Sequence, residues 1–546
     1  MLEWTLRIKP WIVRMDALVI IPFILFLVVI CTAIAERINV PYPLLLVIAG
    51  LLVGFVPTLP NWHPPSEIVL PLFLPPILFA AARLISWQDI RNNILEITLL
   101  AFVLVVTSAI GMAFSLHALA PIFSLSTAFV LGSIISPTDS ISATSILNKM
   151  NTKQRLVRSL EIESLFNDAV SITLYNMAVF FVFTGSIRLT SFTHTLIPEA
   201  IGGIAIGLLL SFFTNIIVNN FLKNSENELP IIMSFILAYV AYLFAEHIGA
   251  SGVLSVVAAG LFHTHTERII TARTRLAEQA SWNTYIFFLN GVIFIVIGLQ
   301  FPVYLQVVKN IPVTQLIYFS LLTIAIILAF RIIWVILLAL LSHLFAKYEL
   351  IGKNATLYNW RDVIISSCSG MRGLVSLALA IALPLQISST INFPNRNLIV
   401  FLTIIVILFT VVVQGLALPF IVKWLGVTKH AHLVLQETNR AYRLITERAI
   451  AHIELLEEEK KLTSTIAKKL VDNYYESRLL HFNLAQQAHV NAHDLSFEAE
   501  KWLSKILNYE RILLHEMLQR GEISQEVYMR IIHKIDRDEV GFASYN

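Results

Sequence analysis

Four carboxylates and a proline interrupt otherwise apolar sequence, in Ser136-Pro137-Thr138-Asp139 and in Glu161-Ile162-Glu163-Ser164-Leu165-Phe166-Asn167-Asp168. A carboxylate deep in a bilayer costs roughly 2.5 to 3.5 kcal/mol, so several together point to function. Pro137 lacks an N–H and clashes with the preceding turn, which breaks a helix there. Carbonyls freed at such a break, with an oxygen of Thr138, can coordinate a dehydrated cation beside Asp139. The plainer alternative is that Thr138 or Asp139 only caps the second half-helix. Asp168 is the candidate carrier. A carboxylate removed from water takes up a proton readily and a bound cation displaces it, so competition for one group couples two fluxes. Asn167 adds a neutral oxygen without a second titrating charge.

Glu163 lies four residues before Asn167, on the same helical face. A buried arginine needs a carboxylate partner, and the expected one for Glu163 is Arg372, leaving Asp168 free; the alternative is that each finds a different partner. Arg331 has three readings: it satisfies freed carbonyls, pairs with an acid, or snorkels to the interface. Glu161 either helps cations enter or balances Arg158 and Arg155, and the second is preferred. His247 and His263-Thr264-His265 fall near loop ends, as interfacial side chains or pH sensors.

The rest of the chain must supply the elements that hold these residues. It has 546 residues, 57% hydrophobic and 14% charged, with mean hydropathy +0.74. Soluble domains carry about 25% charged residues, which excludes an ordinary soluble enzyme. Cys31 and Cys368 are expected to be free buried thiols, and no structural metal or cofactor is indicated. A net charge of +3 has no nucleic-acid meaning on such a chain; membrane topology explains it better. Apolar runs place spans at 16–34, 42–58, 66–82, 95–117, 122–147, 157–184, 197–221, 229–246, 251–264, 281–300, 313–342, 363–385 and 397–424.

Thirteen spans with a cytosolic tail put fourteen Lys/Arg in the inside loops against three outside, the expected bias. Arg7, Lys9 and Arg14 count against that orientation, and an even number of spans remains open. Span five breaks at Pro137. Span twelve holds Ser366-Ser367-Cys368-Ser369-Gly370-Met371-Arg372-Gly373, whose glycines weaken a helix. Five and twelve differ by seven, so spans one to six and eight to thirteen form two halves of opposite topology, with span seven as linker. Paired broken helices point to an inverted-repeat transporter with its site at mid-membrane.

The charge divides the chain. Residues 430 to 546 hold 15 Lys/Arg and 18 Asp/Glu, against 24 and 18 in the preceding 429 residues. The expected domains are a membrane domain over 1–425 and a cytosolic helical tail over 426–546. Leu444, Ala449, Ile450, Ile453, Leu455 and Leu456 supply an imperfect apolar stripe, continued by Ile466, Leu470, Tyr474 and Leu479. Trp502, Leu503, Ile506, Leu507, Ile512 and Leu513 suggest a further amphipathic helix.

Taken together, Ser136-Pro137-Thr138-Asp139, the Glu161–Asp168 stretch and Gly370-Met371-Arg372-Gly373 resemble the signatures of the monovalent cation:proton antiporter-1 family, the bacterial and animal sodium/proton exchangers. Leu74-Pro75-Pro76-Ile77-Leu78-Phe79, Ser251 to Gly260, Leu289-Asn290-Gly291 and Ile297-Gly298-Leu299-Gln300 match in the same order. The resemblance implies an all-α polytopic fold of two inverted six-helix repeats with discontinuous helices, in a homodimer. Spans one to three and eight to ten would form the dimer scaffold; spans four to six and eleven to thirteen would form a mobile core. It further implies electroneutral exchange of Na+ for H+ in a bacterial cytoplasmic membrane, with K+ or mixed Na+/K+/Li+ exchange as the alternative and a channel as a weaker one. Asp168 is then the essential carrier, with Asp139, Thr138 and Asn167 as its neighbours. Glu163 with Arg372 would be a supporting pair, and Ser164, Glu161 and Arg331 complete the supporting set. Two positions depart from the family pattern: Ala80 stands where prokaryotic members commonly carry an acid, and Ser140 where a proline is usual.

Overall fold

Helix positions follow the apolar runs, and the two runs expected to be broken are broken. The structure, a computed structural model, describes residues 22–38, 40–56, 66–85, 90, 94, 97–150, 152, 154–185, 189–222, 228–266, 270–347, 359–388, 391–427, 431–472, 497–520, 522–523 and 525–543. The start of the first expected span, together with Tyr474 and Leu479, lies outside them.

The first helices are α1 (22–37), α2 (Tyr42–Gly54) and α3 (Ser66–Arg83). Helix α4 (Ile97–Leu119) opens with a π-helical stretch. The fifth run splits into α5 (Leu125–Ile135) and α6 (Ser140–Lys149). Then come α7 (Gln154–Thr184), α8 (Leu189–Ile217), α9 (Leu229–Ile248), α10 (Gly252–Thr266), α11 (Ala272–Val307) and α12 (Val313–Lys347). The twelfth run splits into α13 (Trp360–Cys368) and α14 (Leu374–Ile381). A short hairpin, β1 (Gln386–Ser388) and β2 (Ile391–Asn392), precedes α15 (Arg396–Leu425), which contains a π turn at Thr410–Gln414. Seven of the described helices are long and apolar enough to cross a membrane, and α2 and parts of α3 and α10 are shorter apolar helices.

Helix α11 begins nine residues before its expected span. Thr271 starts it early: its hydroxyl accepts the Thr274 N–H at 3.3 Å, an N-terminal cap on a polar turn that hydropathy does not register. Elsewhere glycines set how closely backbones approach. A side chain at Gly50 or Gly298 would collide with carbonyls of Ile295 and Val47, locking α2 to α11. Gly203 and Gly207 lie as closely against the Ser251 and Ser255 carbonyls, joining α8 to α10. Gly132 does the same for α5 against Ala109 of α4.

The chain forms two compact units. The first comprises residues 1–221, 232–269 and 281–427, and the second comprises 222–231, 270–280 and 428–546. In the second, α16 (Ala431–Glu458), α17 (Ser464–Leu470), α18 (Phe497–Gln519) and α19 (Gln525–Ala543) build a separate core. Ile445, Ala449 and Ile453 line one face of α16 and meet Leu503, Leu507 and Leu514 of α18 and Val527, Ile531 and Ile535 of α19. Leu455, assigned to the apolar stripe from sequence, is exposed.

Asp536 of α19 is buried between two arginines. Arg275 meets it at 2.6 and 3.1 Å, Arg511 at 2.8 and 3.2 Å, and Arg511 also pairs with Glu539. Burial opposes the charge on Arg511, but Glu539 and Asp536 outweigh it and hold the guanidinium pKa above its ordinary value. Removing one partner of a buried ion pair costs about 3 to 5 kcal/mol. Asp536→Ala is therefore expected to lower the melting temperature of the second unit and speed its proteolysis; unchanged melting and cleavage would show that the network carries no stability.

Candidate functional site

The two helix breaks complete each other's hydrogen bonding. Asp139 caps α6, its carboxylate accepting the Ile141 N–H at 2.9 Å. The same carboxylate accepts the backbone N–H of Leu374, the first residue of α14. The Asp139 N–H donates to the Met371 carbonyl at 2.7 Å. In the other direction, Arg372 Nε donates to the Ile135 carbonyl at the end of α5, at 3.0 Å, and its Nη1 to the Gly370 carbonyl. Negative charge thus meets two helix N-termini and positive charge a helix C-terminus, as the helix dipoles require. A Cβ at position 373 would overlap the Asp139 carboxylate, so any other residue there would displace it from the two N–H groups it accepts.

Helix α7 is tied to the first break through one face. Thr138 Oγ1 donates to Glu163 Oε1 at 3.0 Å, and Asn167 Nδ2 donates to Thr138 Oγ1 at 2.8 Å. The Ser140 N–H donates to Ser164 Oγ at 3.3 Å. Proline, usual at that position in the family the sequence resembles, could not make this bond.

The expected Glu163–Arg372 pair is not formed. Glu163 binds Arg331 of α12 through both carboxylate oxygens, one contact at 3.1 Å. Arg331 Nη2 also donates to the Ser366 carbonyl in the last turn of α13, at 3.1 Å. With only 1% of its surface exposed, Arg331 does not snorkel; it fills the other two roles considered for it, acid partner and carbonyl cap. Arg372 instead directs its Nε and Nη1 to the Ile135 and Gly370 carbonyls, so Glu163 acts on it through the electrostatic field and not through a hydrogen bond.

Asp168 is left over. It is 9% exposed, makes no hydrogen bond among the described residues, and lies in the electrostatic field of Asp139. Beside it in sequence, Asn167 is 1% exposed; its NH2 group is committed to Thr138, and its Oδ1 is buried without a partner. The carboxylates of Asp168 and Asp139 and the bare Asn167 oxygen are all hard oxygen donors, the kind of atom a hard cation or a proton takes. Glu161 is half-buried in the field of Arg158, away from these bonds.

Two residues were not assigned a role from sequence. The Tyr42 hydroxyl of α2 hydrogen-bonds the Asn290 side chain of α11 and lies within electrostatic reach of Asp139. Asn290 stood within a matching motif, but nothing local marks Tyr42 except its position beside Pro41 and Pro43. His263 is buried against Phe79, ring centroids 5.4 Å apart, while His247 is exposed and the side chain of His265 lies outside the described residues. Cys31 and Cys368 are free, and no His/Cys/Asp/Glu metal cluster occurs among the described residues.

Residues 23–424 match the family described as sodium/hydrogen exchanger, transmembrane. The chain belongs to that family. Its members are secondary transporters rather than enzymes. Among relatives of this exchanger, a Na(+)/H(+) antiporter of Aphanothece halophytica is 32% identical over 425 residues, covering 76% of this chain and 75% of its own. A sodium, potassium, lithium and rubidium/H(+) antiporter of Bacillus subtilis is 27% identical over 540 residues, 97% of this chain and 79% of its own. The solved sodium proton antiporter MjNhaP1 of Methanocaldococcus jannaschii superimposes with a TM-score of 0.58 at 20% identity, covering 74% of this chain and 99% of its own, which shows a shared fold.

Proposed function

We propose that this exchanger moves one monovalent cation, sodium foremost, against one proton across a bacterial cytoplasmic membrane. The observation that carries the proposal is Asp168: a buried carboxylate without a hydrogen-bond partner among the described residues, next in sequence to Asn167 with its orphaned oxygen, while Glu163, Arg331 and Arg372 all have partners. Proton and cation compete for Asp168. Asp139, fixed by two helix N-termini, and Thr138 and Asn167 form the rest of the cation's surroundings, while Glu163 and Arg331 hold α7, α12 and α13 together. One exchanging carboxylate next to a neutral amide gives one charge each way, hence electroneutral transport.

Alternating access follows if the helices that carry the site move against the others. In this reading the chain crosses the membrane thirteen times in two inverted halves, residues 1–425 forming the membrane domain and 426–546 a cytosolic tail, within a homodimer. The interlocks support such a division. Gly132 joins α5 to α4, inside the proposed core; Gly50 and Gly298 join α2 to α11, inside the proposed scaffold. The linker helix α8 is interlocked with α10, which supports counting it with the scaffold.

A broader substrate range is the second reading, favoured by the Bacillus subtilis relative, whose name includes potassium, lithium and rubidium and whose match spans nearly the whole chain. In everted vesicles, adding Na+ is expected to collapse a preformed proton gradient, and parallel additions of Li+, K+ and Rb+ rank the substrates. Loss of the gradient that no monovalent cation influences would refute exchange. Cation flux without proton movement would indicate a channel instead.

A further inference from the structure

We propose that Thr410, outside every motif recognised in the sequence, is a positioning residue of the exchange site and acts through Arg372; the assignment deepens the exchange reading and rests on it. The backbone across the second break finds its partners in three places. Ser369 and Met371 donate locally, to the carbonyls of Ile365 and Ser369 at 2.9 Å each. Asp139 takes the Leu374 N–H and donates to the Met371 carbonyl. The Arg372 N–H alone depends on a third element: it donates to Thr410 Oγ1 of α15, at 3.0 Å.

Thr410 is fully buried, and its hydroxyl spends its own hydrogen on the Ile407 carbonyl at 3.1 Å, leaving the oxygen to accept from Arg372. It also opens the π turn Thr410–Gln414, a rare interruption that recurs at functional sites. Within that turn the Gln414 Oε1 is buried without a hydrogen-bond partner among the described residues. Fixing the Arg372 backbone fixes the start of the side chain that reaches across to the Ile135 carbonyl at the end of α5. Through that reach, Thr410 sets the spacing between the two breaks around Asp139.

Thr410→Val keeps shape and removes the acceptor; Thr410→Ser keeps the acceptor. In proteoliposomes Thr410→Val is expected to lower maximal exchange about tenfold, the scale of a buried donor left unpaired, and to raise the half-saturating Na+ concentration and displace the pH profile. Thr410→Ser should restore all three. In an Arg372→Ala background the Val substitution should add little, because its route to α5 is gone. Unaltered half-saturation and pH profile per folded transporter, or an additive loss in the double variant, would overturn the proposal. Hydrogen exchange at the Arg372 amide gives a readout independent of transport: uptake should rise in Thr410→Val and not in Thr410→Ser. If the wild-type protein showed no cation-coupled proton flux, the exchange reading would fall, while equal amide exchange in all three proteins would sink the role of Thr410 separately.

Discussion

Asp168→Asn is expected to abolish cation-dependent proton movement while leaving the protein folded. The substitution preserves size and removes the group for which proton and cation compete. Little stability should be lost, because Asp168 makes no hydrogen bond among the described residues and repels Asp139 where it stands. Relieving that repulsion can even raise the melting temperature, since like charges close together in a low-dielectric interior oppose each other. Thermal unfolding in detergent and flux in proteoliposomes, measured on one preparation, separate the two effects. Residual exchange near the wild-type rate would remove Asp168 from the central role; loss of folding would make it a structural residue.

Glu163→Gln should behave in the opposite way. Arg331 would remain in a dry interior with the Ser366 carbonyl as acceptor but without its counter-charge. Breaking such a buried pair costs about 3 to 5 kcal/mol, and the chain from Asn167 through Thr138 would lose its terminal carboxylate. Both melting temperature and exchange are expected to fall. Glu163→Gln combined with Arg331→Gln should recover part of the stability, because Arg331 is no longer left as a buried charge without its partner, yet not the exchange, because Ser366 loses its cap. A double variant no more stable than Glu163→Gln alone would show that the pair does not act as a unit.

The contrast between these two acids, five positions apart on one helix, shows what the sequence could and could not reveal. The helix breaks were legible because they have local causes: Pro137 in one run and Gly370 with Gly373 in the other. That Asn167 and Thr138 are neighbours, now seen as a hydrogen bond at 2.8 Å, was implied by the family resemblance, while helical spacing put Glu163 and Asn167 on one face. Which arginine meets Glu163 did not follow, because Arg331 sits 168 residues away in an unbroken apolar helix that offers no pattern beyond one charge. Pairing by repeat symmetry favoured Arg372, which instead caps α5. Thr410 was invisible for a related reason: a threonine in an apolar run reads as ordinary until the π turn and its long-range partner are seen. In the second unit, Val527, Ile531 and Ile535 of α19 recur every four residues, a stripe that stands among charged residues and was not singled out from sequence.

Proton release on cation binding tests the central claim most directly. In weakly buffered detergent solution, adding NaCl to the purified protein should release one proton for each cation bound, and Asp168→Asn should release none. Cation binding without proton release, or undiminished release from Asp168→Asn, would contradict competition for a single carboxylate.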